Sequence, residues 1–202
     1  MVFKHNPLPF HKNAMPAAEA SMAAHAQGKF WEMEKKLFEN QRALERADLE
    51  RYAQEIHLDM NRFKADLDGH RHQRQIEADQ RLSQQLGARG TPAFFINGRN
   101  VRGALPYEEF KRVIDEEIGR AERVLKTGVP RSRLYAELTK GGRTSAAPPD
   151  PSKAPGRGGD AAKQPPRRRE DPAAVYKVPI DGAPVRGPAT ALVTIVEFTD
   201  FQ

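Results

Sequence analysis

The sequence predicts an α/β fold, a small sheet interrupted by an inserted helical subdomain, and three observations predict it. Short apolar runs stand at both ends of the chain, Met1–His5 and Ala191–Phe198. A third run, Ala93–Ile96, is followed by Asn97-Gly98, a strong local hairpin signal. Between the first and third runs the apolar residues recur at helical spacing. Hydrophobic residues make up 38% of the 202 and charged residues 30%, enough for a core but a thin one.

Taken in order, Met1–His5 reads as an extended run stopped by Asn6-Pro7-Leu8-Pro9, whose prolines bar a helix. Pro16 to Gln27 is Ala-rich, with Pro16 suited to a first helical turn and Gly28 to the end. Phe30, Trp31, Met33, Leu37 and Phe38 predict a second helix, and Asp48–His57 a third. Met60–Leu86 reads as one long polar helix or two, closed by Gly87, with an apolar stripe sparse enough to place it on the surface. Arg99–Arg102 is the return strand of the hairpin, and Pro106–Leu125 predicts a last helix with one buried face. Val175–Pro179 is a short strand candidate. Ala191–Phe198, nearly continuous and β-branched, has the texture of a strand covered on both faces.

Three regions follow from composition: 1–140 with folded-domain texture, 141–174 rich in Gly, Pro, Ala and Arg, and 175–202 apolar again. The middle region has almost no apolar side chain larger than alanine, so ordering it would cost backbone entropy with no burial in return. It is expected to be a disordered linker. At about 35 residues its root-mean-square reach is roughly 30–35 Å. That is enough to cross a domain with a radius of gyration of about 15 Å. Much of the basic excess behind the net charge of +6 sits in this stretch, including Arg167, Arg168 and Arg169. No aromatic residue lies between Gly141 and Ala174 to stack on bases, so a solvated linker is preferred to a nucleic-acid patch. GRGG at Gly156–Gly159 falls in the linker rather than between a strand and a helix, which argues against a phosphate loop. No apolar run has membrane-spanning length, and the first residues lack a signal-peptide layout, so the chain is expected to be soluble without an export signal.

There is no cysteine, which excludes disulfides, thiolate nucleophiles and Cys-ligated zinc. Nor do the histidines spell a metal site. His5 and His11 flank the proline turn without a third ligand, and His70 and His72, two apart on a helix, point to different faces. No metal or cofactor is expected. Phe30, Trp31, Phe38 and Tyr52 are expected as helical core rather than a substrate groove.

Three stretches together resemble the DsbA-like thioredoxin-fold family of thiol–disulfide oxidoreductases: FKHNPLPFHKNAMPAAEASMAAHAQGKFWEMEKKLFENQ, GTPAFFINGR and VTIVEFTDFQ. The resemblance spans all but the linker. It implies that Thr91-Pro92 is the cis-proline pair that meets extended polypeptide substrates. It also implies that Glu197 stands at the buried-acid position of the strand leading to the Cys-x-x-Cys motif. In relatives the first cysteine would follow Gln202, and the chain starts at the strand that follows the motif helix. The two flanking parts therefore appear in reversed order without the motif. Two histories fit: a chain running from one thioredoxin repeat into the next, or a circular permutant cut at the active site. In either, 175–202 would supply the central strand that 1–140 needs, in cis or as a swap between copies. The absent helix would leave a sheet face uncovered, which makes a homo-oligomer conceivable. The resemblance further implies a periplasmic or extracytoplasmic setting, a redox-inactive chain for want of thiols, and, as the alternative role, a non-catalytic peptide-binding or structural module.

Overall fold

A computed structural model describes residues 1–146 and 174–202. The expected linker falls mainly on 147–173, outside the described residues. Its first residues are docked: Arg143 N–H donates to Val175 O at 2.8 Å and Ala146 N–H to Gln85 O at 2.7 Å.

Four strands make one sheet: β1 (Val2–His5), β2 (Ala93–Ile96), β3 (Arg99–Arg102) and β4 (Ile195–Thr199), in spatial order β1-β4-β2-β3. The last strand in sequence thus lies inside the sheet. It pairs parallel with β1, Val2 opposite Val196 and His5 opposite Thr199, and antiparallel with β2, Ala93 opposite Phe198. The architecture is mixed α/β, as a thioredoxin-like sheet requires. β4 is shorter than the apolar run that announced it, because Ala191–Thr194 stays irregular. That stretch is spent on the hairpin turn instead. Asn97 Oδ1 accepts from Thr194 N–H at 2.8 Å, and Asn97 Nδ2 donates to Leu192 O at 3.2 Å.

The hairpin turn needs its glycine. Gly98 has φ +87°, and a Cβ there would sit 2.5 Å from Tyr176 O. The same approach lets Tyr176 N–H donate to Gly98 O at 2.8 Å. Val175 and Tyr176 form isolated bridges rather than a strand, yet Tyr176 and Val178 are fully buried.

The helical insertion comprises α1 (Ala14–His25), α2 (Phe30–Glu39), α3 (Arg46–Glu55), α4 (Met60–Asp68) and α5 (Gln73–Gln85). Met60–Leu86 is two helices, broken where His70 takes φ +46°. The surface placement expected for this stretch is corrected at α5, which packs on β1 and buries Ile76 completely. Its sparse stripe is supplemented by a polar contact. Lys4 Nζ reaches Asp79 Oδ1 at 2.9 Å, both side chains nearly unexposed. α6 (Tyr107–Leu125) follows the hairpin, then a 3₁₀ turn (Arg131–Arg133) and α7 (Leu134–Leu138). Phe30 and Tyr52 belong to the helical core, with Trp31 and Phe38 packed against it.

The two faces of the sheet differ. On one, Val2, Phe95, Val196 and Phe198 are buried beneath Leu86, Tyr176 and Val178. On the other, Phe3 packs into the helical core while Ile96, Val101 and Val113 form a small cluster with α6. The expectation that β4 is covered on both faces therefore holds on one only. Val196 and Phe198 are buried, whereas Ile195 and Glu197, which alternate with them, are half-buried.

Candidate functional site

The proline turn, the cis-proline loop and the end of β4 meet at one end of the sheet. Asp200, just past β4, has a completely buried side chain. Its Oδ2 accepts from Leu8 N–H at 2.7 Å and from His11 Nδ1 at 2.9 Å, and its Oδ1 from Gln202 N–H at 3.0 Å. A buried carboxylate needs such donors. Here they fasten the proline turn to the strand, and Gln202 Oε1 adds a bond from Asn13 N–H at 2.8 Å. The His11 side chain, engaged through Nδ1, is 26% exposed. Beside it Phe10 is 76% exposed, its ring edge-on to the imidazole.

The Thr91–Pro92 peptide bond is cis. Ala93 pairs with Phe198, so continuing that antiparallel register by two residues sets Thr91 opposite Asp200. Pro92 O accepts from Gly103 N–H at 3.1 Å. Glu197 lies on the same strand, three residues before Asp200, with Phe3 and Phe94 as its cross-strand neighbours. Burial, and then the Glu34 carboxylate, push it up to about 7. Burial raises Glu34 as well, against the opposing pull of Arg186.

The histidines separate into different roles. His11 is at the site, while His5 is buried on β1 among Phe3, Phe30 and Phe201. Burial, with Lys4, His25 and His72 adding to it, lowers His5 to about 3. His70 Nδ1 meets Glu19 Oε1 at 3.0 Å, and His72 Nε2 lies 3.7 Å from Asp66 Oδ2. Among the described residues no group of three or more His, Asp or Glu is placed to hold a metal ion.

The sequence pointed to Thr91, Pro92 and Glu197, and it did not point to Asp200 or its pairing with His11. The available signal was an acid directly after an apolar strand, with a histidine past a proline turn at the other end of the chain.

The family model of the DSBA-like thioredoxin domain matches residues 1–115. A stretch of 97 residues is 44% identical to a Na(+)/H(+) antiporter NhaA of Herminiimonas arsenicoxydans, covering 48% of this chain and 16% of that protein. Over 107 residues the chain is 43% identical to Na(+)/H(+) antiporter NhaA 3 of Salinispora tropica, covering 52% and 16%. Over 122 residues it is 36% identical to Na(+)/H(+) antiporter NhaA 1 of Mycobacterium sp. strain KMS, covering 59% and 20%. The chain thus spans between 16% and 20% of the length of these curated relatives. No solved structure matches.

Proposed function

The chain belongs to the DSBA-like thioredoxin family, and from that premise we propose that it is a module of thiol–disulfide oxidoreductase lineage that is redox-inactive by itself. The carrying observation is chemical: dithiol exchange needs a thiolate to attack a disulfide, and the chain holds no cysteine. What it keeps is the scaffold around such a centre. Thr91 and Pro92 would present backbone to an extended polypeptide at the sheet end, as strand addition does. Glu197 would hold the acid position without a thiol to serve. The position of β4 between β1 and β2 supports the reading of 175–202 as the central strand of the domain, whether by permutation or from a following repeat. The periplasmic setting belongs to this same reading.

The relatives named Na(+)/H(+) antiporters suggest that such a module can stand within a larger membrane protein. Among the described residues no helix is long and apolar enough to cross a membrane, so the proposal for this chain is the module and not ion transport.

Insulin reduction in the presence of dithiothreitol tests the reading. The expected rate is that of dithiothreitol alone, and turnover above it would overturn the inactive assignment.

A further inference from the structure

Where the helical insertion meets the sheet, three histidines from three elements lie together, and the candidate site uses none of them. His5 of β1, His25 at the end of α1 and His72 before α5 act on one another electrostatically. His5 is 1% exposed. Its Nε2 and that of His72 are both buried without a hydrogen-bond partner among the described residues. A buried nitrogen left unpaired carries a desolvation cost that contact with water would recover.

The neighbours of the His5 ring favour its neutral form. Phe3, Phe30 of α2 and Phe201 pack around it. β4 sets Thr199 opposite His5, with Glu197 two positions earlier on that strand. On β1 the Lys4 ammonium is spent on Asp79 of α5, and Asp79 Oδ2 also accepts from His5 N–H at 3.3 Å. Burial first, then Lys4, His25 and His72, hold the imidazole near 3.

The turn Gly69–His72, which joins α4 to α5, borders this cluster. His70 there takes φ +46°. His70 and Arg71 are exposed, yet each reaches inward to an acid. His70 Nδ1 meets Glu19 of α1, and Arg71 Nη1 meets Asp66 of α4 at 2.8 Å, the two carboxyl side chains being at most 7% exposed. The turn has no apolar side chain of its own to bury, so releasing it costs less than releasing α5, which buries Ile76.

We propose that the turn Gly69–His72 is an acid-released latch, opening locally to admit water and a proton to His5 while α5 and the sheet stay docked. Proton uptake is thereby coupled to loosening of the joint between insertion and sheet. Opening returns His5 to its ordinary value of 6.5. Each opening therefore takes up one proton between about pH 6.5 and pH 3, and the open form gains about tenfold in population per pH unit lost. His25, lowered by burial and then by His72, adds in the same direction. Asp79 is raised by burial and would oppose the effect if uncovered, so the full slope requires that it remain with Lys4.

Amide hydrogen exchange of the full chain tests the latch. Arg71 N–H, which donates to Asp66 O, reports the turn, and the amides of β2 and β4 report global unfolding. The Arg71 protection factor should be about tenfold lower at pH 4.5 than at pH 5.5 and insensitive to low urea. The sheet amides should be at least about a hundredfold better protected and should lose protection as urea is added. His5→Phe, which keeps a ring among Phe3, Phe30 and Phe201, should remove most of the pH slope at Arg71. Arg71 protection that is constant with pH, or that equals the sheet's and falls with urea, would overturn the proposal. Both are read on the natural chain and stand even if His5→Phe fails to fold. A slope that survives His5→Phe would overturn it as well.

Discussion

The two faces of one strand, β4, show what an apolar run can and cannot say. Val196 and Phe198 point to a face closed by Leu86, Tyr176 and Val178. Ile195 and Glu197 point to a face where the neighbouring cluster is mostly half-buried. Both sets are β-branched or large in the main, so composition does not separate them. The difference lies in what packs over each side, and it converts directly into energy. Truncating a buried side chain loses its transfer free energy and leaves a cavity, whereas a half-exposed one loses part of the first and little of the second. Phe198→Ala is expected to cost ~3–5 kcal/mol in urea unfolding, against no more than ~1–2 kcal/mol for Phe94→Ala. Equal costs would mean that the two faces are equally closed.

The same contrast explains how far the sequence could be read. The hairpin at Asn97-Gly98 and the strands at both ends were legible because turn chemistry and β-branched runs are local signals. The helical insertion was legible from its spacing, and so was the break after α1, with Gly28 at φ +75°. What the sequence hid are contacts between distant residues. Lys4 with Asp79 is separated by 75 positions, and His11 with Asp200 by 189. No pattern in either segment announces the other, so α5 read as a surface helix and Asp200 drew no reading. The half-open face was hidden for the same reason, since burial belongs to the neighbour as much as to the residue. Thr91, Pro92 and Glu197 were legible only through resemblance to a family, not through their own chemistry.

A buried histidine sharpens the comparison from the side of the closed core. His5 is lowered to about 3 by burial, from an ordinary value of 6.5. The unfolded chain therefore takes up a proton below about pH 6.5 that the folded chain refuses until about pH 3. Stability is full above that window and falls through it, by ~3 kcal/mol on reaching about pH 4. His25, lowered by burial too, acts in the same direction. The measurement is unfolding free energy against pH for the natural chain and for His5→Phe. A variant whose acid loss matches that of the natural chain would show that His5 is not the group that titrates.

Glu197 supplies the opposite sign and the smaller effect, because its face is only partly closed. Its folded value, pushed up to about 7 by burial and then by Glu34, lies above the ordinary 4.5 of a glutamate. Between those values the unfolded chain gives up the proton while the folded chain retains it, so stability declines as pH rises through this window and the loss is complete above it. The full shift would amount to ~3 kcal/mol, but a half-exposed carboxylate is screened by solvent, which leaves ~1–2 kcal/mol. Glu197→Gln keeps the shape of the side chain and removes its charge. It should therefore stabilise the chain near pH 8 by that amount and leave it nearly unchanged near pH 4.5. The contrast between the two pH values separates a charge on an under-covered floor from a packing effect of the amide, which would appear equally at both.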